Sequence, residues 1–165
     1  MSDPLEIMRT VDLRPDPRPE LLPPPVSRER LEELSREIER IADLLLSGSE
    51  GASEAICAFN SATGHAYEAL AFTEYHGSRS LEEFAREAAR PARPRVPDIT
   101  RDELVEIVRR VLTGSPETDY YLLLLGANVP HPGVSDLIHY PSAELEGATA
   151  EQIVEEALRY RPFAL

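Results

Sequence analysis

Hydrophobic residues recur at alternating three- and four-residue steps along much of the chain, which is the spacing of amphipathic helices. In the first half one such series follows Ser27, a predicted N-cap, and its members are Leu31, Leu34, Ile38, Ile41 and Leu45. A second apolar helix is predicted over residues 52–62, and a third, residues 81–90, follows a capping box that opens at Ser80. Residues 65–79 contain aromatic side chains without a clear period, so their structure stays open.

Four shorter helical segments are predicted in the second half. The first follows the capping box Thr100-x-x-Glu103 and ends at Gly114, and the second starts at Ser115-Pro116 in the favoured N-cap and N1 order. A short third segment, residues 134–140, lies between prolines, and Thr149-x-x-Gln152 caps the last helix. No run has the two-residue period of a strand. The chain is therefore predicted to be all-α, with a small four-helix bundle in its second half.

Proline-rich segments divide the chain. Seven of the 15 prolines lie in the first 25 residues, and because proline fixes φ and lacks an amide donor, residues 1–26 are predicted to form an extended arm. A second cluster, residues 91–97, is predicted to be a stiff linker. Between them lies a helical module of about three helices, residues 27–90, and after the linker comes the bundle, residues 98–165.

The composition then limits the function. The chain carries 30 acidic and 17 basic residues, a net charge of −13, of which −6 falls on residues 1–95 and −7 on residues 96–165. Binding to nucleic acid or to an anionic membrane needs a basic face, so we expect neither partner. A single cysteine, no secretory leader and no apolar stretch near the roughly 20 residues of a membrane span predict a cytoplasmic protein.

Candidate catalytic and metal-binding residues do not form a recognised pattern. There is no phosphate-binding loop, and Cys57, His65 and His76 lack the spacing of a metal site, so we expect neither a metal nor a cofactor. Cys57 lies between apolar neighbours on a predicted helix and is predicted to be a buried, inert thiol.

The most distinctive segment is HPGVSDLIHYP, residues 131–141. On a short helix Asp136, His139 and Tyr140 are spaced i, i+3 and i+4 and share one face, while Leu137-Ile138 can turn toward the bundle. An acid and a tyrosine on a rigid helix suit a protein interface, since tyrosine combines a large contact area with a polar tip. The alternative is that Tyr140 packs in the core and Asp136 only caps the helix.

This segment resembles the central motif of the colicin E-type and S-type pyocin nuclease immunity proteins, in the form HPxxSDLIxYP. The resemblance covers roughly residues 97–165. It implies an acidic four-helix bundle that is a non-catalytic inhibitor. Such proteins bind the nuclease domain of a cognate bacteriocin beside its active site and block access of nucleic acid. Members of the family are normally single domains, so the helical first half of this chain is a departure from the family.

The resemblance also implies which residues bind the partner. In the family the short third helix supplies a shared anchor, and this role passes to Ser135, Asp136, Tyr140 and Pro141, with His139 standing where the family usually has a second aromatic residue. Partner choice lies on the second helix, which carries Glu117 and Asp119 and on which Tyr120 and Tyr121 would substitute for further acids. The expected partner is therefore a basic nuclease domain.

Two other classes of function stay open. One is a helical adaptor or regulatory scaffold that acts through the first half of the chain and forms a homodimer along the stripe from Leu31 to Leu45. The other is an enzyme, for which Cys57, His65 and Glu68 are the best candidates. Because these three residues form no known catalytic constellation, we predict that the protein is not an enzyme.

Overall fold

A computed structural model describes residues 17–161, and in this range the chain forms eight α-helices and no strand. The all-α prediction is confirmed for these residues. None of the described helices is long and apolar enough to cross a membrane. The first sixteen residues of the predicted arm lie outside the described range, while its remainder is irregular except for a 3-10 turn at Pro19–Leu21.

The first half contains four α-helices, one more than the three or so predicted. They are α1 (Arg28–Leu46), α2 (Ala52–Thr63), α3 (Ala69–Glu74) and α4 (Leu81–Ala89). Ser27 caps α1, and Ser80 and Glu83 form both hydrogen bonds of the predicted capping box of α4. The additional helix, α3, has six residues and no side-chain cap, so neither periodicity nor a capping signal marks it in the sequence.

The aromatic residues without a period are part of the core of the first half. Phe72 and Tyr75 are buried and pack with Phe59 and Phe84, whose rings lie 5.3–5.5 Å from the Phe72 ring centroid. The apolar stripe of α1 covers this cluster, with Leu34, Ile38 and Ile41 buried and Leu31 and Leu45 partly buried. The face proposed for a homodimer is therefore used inside the chain.

The prediction that Cys57 is buried is wrong, because its side chain is exposed. The buried residues of α2 are Ala52, Ala55 and Phe59, which follow the helical period and face α1. Cys57 falls on the opposite side of the helix, where its apolar neighbours in sequence give it no cover.

The second half contains the remaining four helices, which are α5 (Arg101–Leu112), α6 (Thr118–Asn128), α7 (Val134–His139) and α8 (Ala150–Arg159). The predicted capping boxes of α5 and α8 are both formed. Helix α5 packs against α6 and α8, and α7 contacts the same two helices. Their apolar residues form one core, in which Ile107, Leu124 and Val154 are almost fully buried.

Helix α6 begins two residues later than predicted. Ser115-Pro116 forms a turn before the helix, in which the Thr118 amide donates to the Ser115 carbonyl at 3.1 Å and the Glu117 amide donates to Ser115 Oγ at 3.2 Å. The N-cap position belongs to Glu117, whose side chain makes no capping hydrogen bond.

The arm and the linker pack onto the second half. Leu21, in the 3-10 turn of the arm, is 0% exposed and belongs to the core formed by α5 to α8. Just before it, Arg18 forms ion pairs with Asp98 at 2.9 Å and with Glu103 at 2.7 Å. The amide of Val96, in the linker, donates a hydrogen bond at 2.8 Å to the side chain of Asn128 at the end of α6. Residues far apart in sequence thus complete the core of the second half, which is the second core of the chain.

We expect Leu21→Ala to lower the free energy of unfolding by about 3 kcal/mol, because it removes a fully buried side chain and leaves a cavity. Urea unfolding of the full chain measures this. Leu46→Ala serves as the control, since Leu46 is 77% exposed and its loss should change stability by less than about 0.5 kcal/mol. Equal effects of the two substitutions would contradict the packing of the arm in the second core.

We also expect the Arg18→Ala variant to lose less stability in acid than the wild-type chain. Hydrogen bonds from Arg18 hold the pKa of Asp98 below its ordinary value. Desolvation raises the pKa of Glu103, but hydrogen bonds from the Thr100 amide and from Arg18 outweigh it, so this pKa is lowered as well. Lowered pKa values stabilise the fold above the unfolded values of about 4, and this stabilisation is lost as the pH falls below them.

The measurement is the free energy of unfolding at pH 6 and at pH 3. The wild-type chain should lose more stability between these pH values than Arg18→Ala. Arg28→Ala, which removes an exposed ion pair with Glu32, should keep the wild-type pH dependence. A wild-type slope in Arg18→Ala would show that the ion pairs do not contribute to acid sensitivity.

Candidate functional site

The predicted anchor is a short, firmly placed helix, α7. Its N-cap is Gly133, whose amide donates to His131 Nδ1 at 3.0 Å. Its C-cap is Tyr140, whose amide donates to the Asp136 carbonyl at 2.8 Å. Pro132 precedes the N-cap and Pro141 follows the C-cap. Proline cannot continue the helix, so the length of α7 is fixed from both sides.

The inner side of α7 packs on the second core. Val134 is buried, and Leu137 and Ile138 are half-buried against the core. This is the orientation that the spacing of the motif predicts. The apolar residues therefore hold the helix in place and fix the direction in which its other side chains point.

The outer side carries the candidate anchor residues. Asp136, His139, Tyr140 and Pro141 are exposed, and Ser135 is half-buried. Tyr140 is 81% exposed, and no other tyrosine or phenylalanine among residues 17–161 is exposed. The Gly133 amide donates to His131 and not to the Asp136 carboxylate, so Asp136 does not cap α7. The exposure of Tyr140 excludes it from the core.

Tyr120 and Tyr121 do not line the surface that the sequence assigned to them. Both are buried, together with Leu124 and Leu125 one turn later. Positions i, i+1, i+4 and i+5 lie on one side of a helix, and this side of α6 faces the core. Burial raises the pKa of the Tyr120 hydroxyl. The two tyrosines are thus core residues of the second half.

Glu117 is half-buried and already has a charged partner inside the chain. Arg90, at the end of α4, donates from Nη1 to Glu117 Oε2 at 2.9 Å and from Nε to the Pro24 carbonyl at 3.0 Å. Its guanidinium carbon lies 5.6 Å from the ring centroid of Tyr120. The side chain of Arg90 is only 12% exposed. Of the two acids predicted for partner choice, only Asp119 is exposed.

The sequence interpretation missed one exposed and one half-buried leucine on α6. Leu123 is 39% exposed and Leu122 is half-buried. The signal was present, because four consecutive leucines at residues 122–125 cannot all point to the same side of a helix. No group of three or more histidine, cysteine or acidic residues in the described chain could hold a metal ion.

The family model of the colicin immunity proteins and pyocin immunity proteins matches residues 96–162. YezA of Bacillus subtilis (strain 168), which is described as an uncharacterized protein, is 38% identical over 66 residues that make up 38% of this chain and 93% of YezA. The chain belongs to the colicin and pyocin immunity protein family. No solved structure matches it.

The immunity-family segment, residues 96–162, contains all nine predicted partner-binding residues. It leaves out Arg18, Leu21 and Arg90, although each of these contacts it. The structure therefore adds to the family segment an arm and a helical half that are attached to it by burial and by ion pairs.

We expect Arg90→Ala to lower the free energy of unfolding by about 2 kcal/mol, because it removes charge-assisted hydrogen bonds that are largely shielded from water. Arg90→Lys should recover only part of this, since an ammonium group cannot reproduce the planar fork of the guanidinium. Chemical denaturation measures both, with Arg28→Ala as the control for an exposed ion pair. A loss no larger than the control would mean that Arg90 does not join the two halves energetically.

Proposed function

We propose that this member of the immunity family is a non-catalytic inhibitor that binds the nuclease domain of a cognate colicin- or pyocin-like toxin. It binds beside the active site of the toxin and denies access to nucleic acid, in the cytoplasm of the producing cell. Residues 98–165 act as the four-helix immunity bundle, and no cofactor or metal takes part.

The observation that carries the proposal is the exposure of Tyr140. A tyrosine residue that is 81% exposed presents a large ring surface to water that a partner can cover. It lies at the end of a helix held by Val134 and by two prolines, so little conformational entropy is lost on binding. Asp136 and His139 are exposed beside it on the same helix. An exposed aromatic residue with polar neighbours is the usual composition of a binding hot spot.

The charge of the chain supports the same partner. A nuclease domain must bind phosphates and is therefore basic where it works, while this chain carries a net charge of −13. Opposite charges accelerate association and orient the two proteins before contact. The competing scaffold hypothesis relied on a dimer through the stripe of α1, but the central residues of that stripe are buried in the core of the first half.

We expect Tyr140→Ala and Asp136→Ala each to weaken binding by about 2 kcal/mol, which is roughly thirtyfold in Kd, without unfolding the chain. The probe is the purified nuclease domain of the cognate colicin- or pyocin-like toxin. Isothermal titration calorimetry gives the affinity, and a nucleic-acid cleavage assay gives the inhibition.

Matched controls are Leu112→Ala for the tyrosine and Glu144→Ala for the aspartate. Leu112 is 47% exposed at the end of α5, and Glu144 is an exposed acid in the loop after the motif. Both should bind the nuclease domain like the wild type. Undiminished binding by Tyr140→Ala and Asp136→Ala would refute the anchor, and failure of the wild-type chain to bind would refute the proposed function.

A further inference from the structure

The exposed side of α6 carries leucines, whereas the family resemblance implies acidic residues on this helix. Leu122 and Leu123 lie between Asp119 and the C-terminal end of the helix, and Leu123 is 39% exposed. A helix with apolar residues on all sides is normally covered on all sides. The described chain covers Tyr120, Tyr121, Leu124 and Leu125 but leaves this side partly open.

The first half of the chain forms a wall opposite these leucines. A groove of about 410 Å³ separates α6 from α4. On the α6 side it is lined by Asp119, Leu122 and Leu123, and on the α4 side by charged residues, namely Arg79, Glu83, Arg86, Glu87 and Arg90. Residues from both halves of the chain therefore build one concave surface.

Contacts within the chain hold the α4 wall in place. Glu87 forms an ion pair with Arg79 and accepts a hydrogen bond from the Tyr67 hydroxyl at 2.9 Å. Arg90 reaches across to Glu117 at 2.9 Å and so sets the position of α4 relative to the start of α6. The groove exists before any partner arrives, which lowers the entropic cost of binding.

The charges around the groove define what fits it. Arg79 pairs with Glu87, Arg86 with Glu82, and Arg90 with Glu117. Glu83 accepts a hydrogen bond from the Ser80 amide in the capping box. Asp119 makes no ion pair with any residue from 17 to 161. The charge left over at the rim is therefore negative, and the floor beneath it is apolar.

We propose that the groove between α4 and α6 receives an apolar side chain of the toxin's nuclease domain, with a basic residue beside it that pairs with Asp119. The first half of the chain is then a part of the recognition surface and not an appended module. This inference rests on the proposed function. An apolar centre within a charged rim is the arrangement in which a few contacts supply most of the binding energy.

The test changes one residue on each wall of the groove in the full-length chain. Leu123→Ala removes the exposed leucine on the α6 side, and Arg86→Ala removes a long side chain from the α4 side. We expect Kd for the nuclease domain to rise about tenfold for Leu123→Ala and about fivefold for Arg86→Ala. Because both walls touch the same partner side chain, the fold-increase in Kd of the double variant should be smaller than the product of the two single fold-increases.

Each variant has a matched control outside the groove. Leu112→Ala removes another exposed leucine of the second half, which is 47% exposed against 39% for Leu123. Arg28→Ala breaks an i,i+4 ion pair of the first half, as Arg86→Ala does. Both controls should change Kd less than about twofold. Circular dichroism and thermal unfolding confirm that all variants keep the fold.

The outcomes separate this inference from the function on which it rests. If Tyr140→Ala weakens binding but both groove variants match their controls, the groove is not part of the interface and the immunity function stands. If only Leu123→Ala weakens binding, the contribution of the first half is refuted. If the wild-type chain does not bind the nuclease domain, both proposals fail. A dimer of the wild-type chain that Leu123→Ala abolishes would assign the groove to a second copy and refute the inference.

Discussion

Helix α6 carries tyrosines and leucines around most of its circumference, and such a helix needs cover on several sides to be stable in water. Helix α5 and the second core cover one side. At the first turn, Arg90 lies near Tyr120 and binds Glu117. At the last turn, the Asn128 side chain holds the linker by donating to the Pro94 carbonyl and accepting from the Val96 amide. Contacts with the two ends of α6 thus connect α4 and the linker to the second half.

These contacts explain why residues outside the immunity-family segment belong to its structure. The segment alone would lack Leu21 from its core and would expose the start of α6. Arg90 can be nearly shielded from water because a carboxylate and a backbone carbonyl both accept its hydrogen bonds. A buried guanidinium without such acceptors would destabilise the fold by several kcal/mol. The sequence of the first half is therefore constrained by contacts with the second.

The features predicted from sequence are those that depend on neighbours within a few residues. Capping boxes at Ser80, Thr100 and Thr149 are formed because a side chain and an amide three positions apart meet whenever a helix starts there. The orientation of α7 follows from the spacing of its apolar and polar residues, and its length is limited by the prolines on either side. The exposure of Cys57 and the burial of Tyr120 could not be predicted, because each depends on which side of its helix a distant segment covers. Helix α3 was missed since six residues are too few to show a period.

The distribution of charge bears on how such a protein distinguishes its partners. Long-range attraction between an acidic chain and a basic nuclease accelerates association with any basic domain, so it gives speed but little discrimination. Discrimination requires polar groups that a wrong partner leaves unpaired, or contacts in which a wrong partner clashes. On α6, Glu117 is already neutralised by Arg90, while Leu122 and Leu123 remain partly open beside Asp119. Under the proposed function, α6 would therefore select its partner by shape and apolar contact, and Asp119 would supply the one acid of this helix that has no ion pair within residues 17–161.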